Sequence, residues 1–219
     1  EKARQLAAFV KTYAADDIRI TVNQGLFLRY LRPEVLPLLF HTLDQLGFAE
    51  GGADSIADVT ACPGTDTCAL GVTNSTGLAS VVSDLIHQEY SQLIEQSEIK
   101  IKMSGCMNAC GQHMAAQIGF HGSSIKRGES VIPAMQIVLG GGVSPEGEGS
   151  TADKVIKLPT KRIPDAMRYL LDDFAAEGTN GELFNDYYQR QGKRYFYNLL
   201  KPLADVDSLG ETDFFDWGQ

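Results

Sequence analysis

The chain is poor in several things, and each shortage removes a class of protein. It has only four cysteines in 219 residues. That is sparse for a disulfide-stapled secreted scaffold. No export signal accompanies them: the charged Glu1, Lys2 and Arg4 read straight into a helix. There is no run of about 18 apolar residues, so no membrane span is expected. Basic residues are few, 19 against 28 acidic, for a net charge of −9. A nucleic-acid binder needs a broad basic surface, which this balance argues against. Any anion site must gather its positive charge locally. The glycine run Gly140–Gly142 is followed by Pro145, Glu146 and Glu148 rather than by a helix start. It therefore reads as a turn after a buried strand, not a phosphate-binding loop. Repeats and low-complexity segments are absent, and a cytoplasmic protein is expected.

What is present suits one large domain or two small ones. Hydrophobic residues make up 43% of the chain, enough for a substantial core. Residues 1–15 carry Leu6, Phe9, Val10, Tyr13 and Ala14 at helical spacing. Ile18, Ile20 and Val22 then alternate with Arg19, Thr21 and Asn23, a strand with one apolar and one polar face. A second short strand is expected at about 26–31. Pro33 and Gly47 bracket a helix whose apolar face is Val35, Leu36, Leu39, Phe40, Leu43 and Leu46. The glycine-rich stretch 47–54 reads as a domain boundary. A long helix is expected at 76–95 after the polar start Ser75–Thr76, then a half-buried strand at 99–103 in which Lys100 and Lys102 face away from the core. Strands near 117–121 and 134–139, a helix from Pro164 to Ala176 and a last helix from about Glu182 complete the pattern. The acidic tail carries Phe214, Phe215 and Trp217.

The cysteines form two close pairs, Cys62-x5-Cys68 and Cys106-x3-Cys110. Paired cysteines in a reducing compartment point to a metal site. Structural zinc loops use two to four residues between paired ligands, so the first pair is wide for zinc. A [4Fe-4S] cube takes four thiolates, and turn-forming residues let the backbone wrap it with amides aimed at its sulfides. Pro63, Gly64, Gly105 and Gly111 fit that demand. Spacing favours a cluster and leaves zinc as the rival.

Ala61-Cys62-Pro63-Gly64-Thr65-Asp66-Thr67-Cys68 resembles the first cluster motif of siroheme-dependent nitrite and sulfite reductases. The stretch from Ser104 to His113 resembles their second motif, as does the following Ala116-Gln117-Ile118-Gly119-Phe120; Met107 stands where many relatives have proline. Upstream, Arg19-Ile20-Thr21-Val22-Asn23-Gln24 is similar to a strand of the family's duplicated ferredoxin-like module, and Val138–Gly142 to a later strand and glycine turn. The resemblance covers most of the chain and makes it look like the C-terminal half of such an enzyme, with one module copy of two.

The resemblance implies an α+β fold: a ferredoxin-like half-module at 1–56, then an α/β sandwich domain for the cluster and siroheme at 57–219. It implies six-electron reduction of sulfite to sulfide or of nitrite to ammonia. Cys62, Cys68, Cys106 and Cys110 would hold a [4Fe-4S] cluster, with Cys110 shared as a catalytic bridge to siroheme. Asn108, Arg19, Thr21 and Asn23 are the candidate siroheme contacts, although the strand bearing the last three could equally be a vestigial copy. The partners implied are the N-terminal half of the same enzyme, a ferredoxin or flavoprotein donor, and sulfite or nitrite; this part alone is expected to be inactive. A non-catalytic cluster-only electron-transfer module and a cofactor-free structural domain are the alternatives. His113 reads as structural. His41, His87 and His121 read as ordinary histidines, and Arg190, Lys193 and Arg194 as a solvated helix face.

Overall fold

The computed structural model describes residues 1–218. The chain divides into two compact units, Glu1–Ala53 and Asp54 onward.

In the first unit, helix α1 (Lys2–Tyr13) buries Leu6, Phe9 and Val10. A hairpin follows, β1 (Ile18–Ile20) antiparallel to β2 (Leu26–Leu28). It is shorter than the alternation suggests because the turn starts at Thr21. The Thr21 hydroxyl accepts from the Gly25 amide at 2.9 Å, and Gln24 takes a left-handed φ of 66°. Thr21 and Asn23 thus belong to a turn rather than to a strand face. A 3-10 turn at Pro33–Val35 leads into α2 (Leu36–Leu46), which ends at Gly47 with φ 69°. Its expected apolar face is largely open: only Leu46 is buried. Two three-residue strands cannot cover a helix of this length. The core of this unit is Leu6, Val10, Ala14 and Leu46, with Leu28, Leu31 and Leu43 against it.

The second unit is built on a five-stranded sheet. In chain order it holds β3 (Thr60–Ala61), β4 (Ile101–Ser104), β5 (Ile118–Arg127), β6 (Ser130–Leu139) and, beyond a small hairpin of β7 (Gly142–Val143) and β8 (Gly149–Ser150), β9 (Asp153–Pro159). Its strand order is β3-β4-β5-β6-β9. The first three strands are parallel and the remaining pairs antiparallel. Parallel neighbours need crossovers. Between β3 and β4 the crossover is helix α3 (Ser75–Glu89), followed by a 3-10 turn at Ser91–Leu93. Between β4 and β5 it is the irregular stretch 105–117, which carries the second cysteine pair.

Period-two alternation splits the sheet into two faces. Ile101, Met103, Ile118, Phe120, Met135, Ile137, Ile156 and Leu158 join one core with α3 and three later helices, α4 (Ile163–Glu177), α5 (Phe184–Gln191) and α6 (Lys193–Leu200). The other face carries the register row Ser104, His121, Gln136, Lys157. The stretch 112–116 lies on it: a Cβ on Gly119 would stand 2.0 Å from the His113 carbonyl oxygen. Lys102 therefore is not on a solvated strand face as expected. It is 8% exposed, and its ammonium donates to Gln112 Oε1 at 2.9 Å. The α3–α4 seam is tied by Arg168, which donates two hydrogen bonds to the Glu89 carboxylate (2.7 and 2.6 Å), and by the Tyr90 hydroxyl donating to Asp172 at 2.8 Å.

Candidate functional site

Cys62 follows directly on β3, and Cys106 stands two residues beyond the end of β4. Because these strands are parallel neighbours, both cysteine loops leave the same end of the sheet. The loops are laced together. The Cys62 amide donates to the Met103 carbonyl at 3.2 Å, and the Val72 and Thr73 amides both donate to the Gly105 carbonyl at 2.8 and 3.1 Å. The lacing demands glycine. A Cβ on Gly105 would meet Gly64 Cα at 2.4 Å, and one on Gly64, whose φ is +56°, would meet the Thr73 carbonyl oxygen at 2.4 Å.

Cys62 is the buried member of the set. Its sulfur accepts the Gly105 amide at 3.1 Å, and the Ser75 hydroxyl lies 3.6 Å away. Burial pushes this thiol up, but backbone amide bonds, led by that from Gly105, outweigh it and leave the thiol below its ordinary value. An N–H bond to the sulfur lowers the cost of forming the thiolate, the form that binds metal. Cys106 is half-buried, and Cys68 and Cys110 are exposed. Between Cys106 and Cys110, Asn108 is exposed and Ala109 takes a left-handed φ of 58°, as does Gln112 just beyond. Such backbone costs about 1 kcal/mol for a non-glycine residue, so the loop is held in shape by its surroundings. The two cysteine loops also carry exposed apolar side chains: Leu70 at 69%, Val72, and Met107 at 70%.

Beneath the second loop, Ser104 Oγ accepts the Gly111 amide at 3.0 Å and pairs with His113 Nδ1 at 2.9 Å. His113 and His121 are both buried, with ring centroids 4.8 Å apart. Burial first, then His121 and Lys154, push His113 down to about 4. His121 Nδ1 donates to the Gly122 carbonyl at 3.2 Å. Sequence reasoning gives Ser75 and Ser104 no role of their own and treats His121 as an ordinary histidine. Ser75 does show itself as a helix start, but neither its reach to Cys62 nor the histidine pair has a local signature. The other candidate contacts lie in the first unit. Arg19 pairs with Asp17 at 3.6 Å, Thr21 is engaged in its own turn, and Asn23 also lies in that turn.

The four thiols are free, with no disulfide among the described residues. Nor, among the described residues, do three His, Cys, Asp or Glu side chains converge as one metal ion requires. The thiols are instead offered singly from two touching loops. That suits a multi-iron cluster, which takes one thiolate per iron, and the N–H bond to the Cys62 sulfur suits its negative charge.

Residues 52–205 match the family described as the nitrite and sulphite reductase 4Fe-4S domain, and residues 1–46 match the nitrite/sulfite reductase ferredoxin-like half domain. The chain belongs to this nitrite and sulfite reductase family. It is 27% identical over 97% of its length to an assimilatory ferredoxin-dependent nitrite reductase of Haloferax mediterranei, covering 35% of that protein. It is 28% identical over 80% of its length to a sulfite reductase [NADPH] hemoprotein beta-component of Staphylococcus haemolyticus, covering 30% of it. The Mycobacterium tuberculosis NirA structure superposes with a TM-score of 0.74 over 89% of this chain and 36% of that one, at 23% identity, and shares the α+β fold. The chain therefore spans about a third of the length of these relatives, rather than the half expected. Among the described residues, no helix is long and apolar enough to cross a membrane.

Proposed function

We propose that this chain is the cluster-bearing part of a siroheme-dependent nitrite or sulfite reductase. The observation that carries this reading is the pair of glycine-laced cysteine loops at one end of β3 and β4. Cys62, Cys68, Cys106 and Cys110 would hold a [4Fe-4S] cluster, and Cys110, exposed beside Met107, would be the thiolate shared with siroheme. When bound, these groups would supply the redox chemistry, with a ferredoxin or flavoprotein as the electron donor and sulfite or nitrite as the acceptor. The residues of this chain do the rest. The Gly105 amide stabilises the Cys62 thiolate, and Leu70, Val72 and Met107 offer apolar surface to a macrocycle. Asn108 lies on the same loop as the bridge. Arg19, Thr21 and Asn23 are kept as candidate contacts to siroheme carboxylates. The N-terminal half of the same enzyme is the partner proposed to complete the site, so this chain by itself would not turn over.

The test is anaerobic reconstitution followed by iron and acid-labile sulfide analysis. About four of each per chain are expected. One zinc per chain and no sulfide would refute the reading. In an enzyme of the relatives' full length, Cys110→Ser is expected to abolish the magnetic coupling between cluster and haem. Coupling retained there but lost in Cys106→Ser would move the bridge to Cys106. An optical spectrum separates the alternatives: siroheme absorbs strongly in the visible, a bare cluster gives a broad weak shoulder, and a cofactor-free domain gives neither.

A further inference from the structure

The family match ends at residue 205, yet the last described residues make specific contacts with the start of α3, the helix that follows the first cysteine loop. A 3-10 turn at Glu211–Phe214 leads to Asp216, which is 3% exposed. One Asp216 oxygen accepts the Asn74 backbone amide at 2.6 Å, and the other accepts the Trp217 amide at 2.9 Å. Asn74 is the N-cap of α3: its side-chain oxygen accepts the Gly77 amide at 2.9 Å, and its amide nitrogen donates to the Trp217 carbonyl at 2.8 Å. The Trp217 indole donates to the Thr160 carbonyl at 2.9 Å, under the Lys161 ammonium 4.0 Å from its ring centroid. The tail is thus pinned at both ends of its contact, on the start of α3 and on the turn before α4.

What it pins is one residue from the cysteine loop. Ser75, fully buried, donates its hydroxyl to the Cys62 carbonyl at 2.6 Å. Beside it, Thr73 ties the loop to Gly105, the residue whose amide bonds the Cys62 sulfur. A short bonded path therefore runs from Asp216 through Asn74 and Ser75 to Cys62. A carboxylate that accepts a backbone amide at a helix start makes a charge-assisted bond, stronger than a neutral one, in a position the helix dipole favours. A buried carboxylate held by such bonds sets the position of its donors.

We propose that residues 211–218 form a strap that positions the first cysteine loop, with Asp216 as the positioning residue for Cys62. The proposal rests on the reading of Cys62 as a cluster ligand only for its consequence in the loaded protein; the positioning itself concerns the chain alone. Substituting Asp216→Asn leaves one oxygen to serve two amides and turns an NH2 group towards a donor.

The experiment uses the full chain. In the cluster-free protein, alkylation of each cysteine by iodoacetamide is followed by peptide mapping, with the unfolded chain at the same pH as reference. Asp216→Asn is expected to speed alkylation of Cys62 by about tenfold, since loss of one such bond shifts local opening by that order. The exposed Cys68 and Cys110 keep their rates. Tyr90→Phe, which removes the bond to Asp172 at the other end of α3, serves as the control: it lowers the melting temperature and leaves Cys62 protected. In the loaded protein, Asp216→Asn makes the cluster midpoint potential more negative, because the Gly105 amide is held less firmly against the Cys62 sulfur. A folded Asp216→Asn variant with Cys62 as protected as in the wild type overturns the proposal. Faster Cys62 alkylation in a chain that takes up no cluster upholds the strap and refutes the cluster reading, so the two fail separately. If Asp216→Asn does not fold, hydrogen exchange on the wild type decides. The Asn74 and Gly105 amides are expected to open together, and a Gly105 amide that stays closed while Asn74 opens overturns the strap.

Discussion

At the scale of single residues, the histidine beneath the second cysteine loop gives the clearest dependence on pH. His113 is buried, bonded to Ser104 through Nδ1, and held at about 4. Its value in the unfolded chain is close to 6.5. Because the folded value is the lower one, the unfolded state binds more protons between these limits. The stability His113 contributes is therefore fully present above about pH 6.5 and is lost as pH falls towards 4. His113→Gln is expected to lose less stability than the wild type between pH 7 and 4.5 in denaturant titrations. An equal loss in both proteins would show that His113 does not titrate across this range on unfolding. The cysteine pairs and their glycines are legible in the sequence because each needs only its own spacing. The burial of Lys102 and His121 is not. Alternation places a side chain on a face, but here that face is covered by the crossover 112–116, which no local pattern announces.

At the scale of elements, two parallel strands joined without an α-helix make the cysteine loop itself part of the sheet's connectivity. Gly105 stands where that crossover leaves β4, with a carbonyl that serves Val72 and Thr73 and an amide that serves Cys62. Gly105→Ala would force its Cβ to within 2.4 Å of the backbone at Gly64, where no flexible side chain can yield. The expected cost is about 1–3 kcal/mol by overpacking. The variant is also expected to take up less iron on reconstitution, as measured beside its denaturation midpoint. Full stability with full iron content would mean that the two loops can separate without harm. The helices are largely visible in the sequence from their periodicity and from Pro33, Gly47 and Gly178, although the last region proves to be two helices, α5 and α6, rather than one. The strands are less legible. β9 escapes detection because the register shifts between Ile137 and Val138, so that adjacent Val155 and Ile156 are both buried and the alternation breaks. The β5–β6 hairpin runs well past its apolar half, into Ser123–Arg127 and Ser130–Pro133, where backbone pairing continues with Ile132 as the single buried side chain to reveal it.

At the scale of the whole molecule, charge and apolar surface are unevenly shared between the two units. Residues 1–53 hold six basic side chains (Lys2, Arg4, Lys11, Arg19, Arg29, Arg32) and six acidic ones (Glu1, Asp16, Asp17, Glu34, Asp44, Glu50), so the net charge of −9 lies entirely beyond them. This neutral unit also exposes much of its apolar complement. Ile20, at 83%, faces its cross-strand partner Leu26, and Leu36, Phe40 and Phe48 are open as well. A neutral surface with several exposed large apolar side chains lacks the like-charge repulsion that keeps proteins apart, and burying it releases hydration water. The chain by itself is therefore expected to self-associate through this unit, more strongly with rising concentration and in sulfate, which strengthens apolar burial. Sedimentation velocity over a hundredfold range of concentration is the measurement. A variant with Ile20→Lys and Leu26→Lys changes only exposed positions, so its stability is expected to stay within about 1 kcal/mol of the wild type. It adds two like charges to the hairpin face and is expected to remain monomeric where the wild type associates. A wild-type chain that stays monomeric throughout, or a double variant that associates equally well, would show that this face is not what drives association.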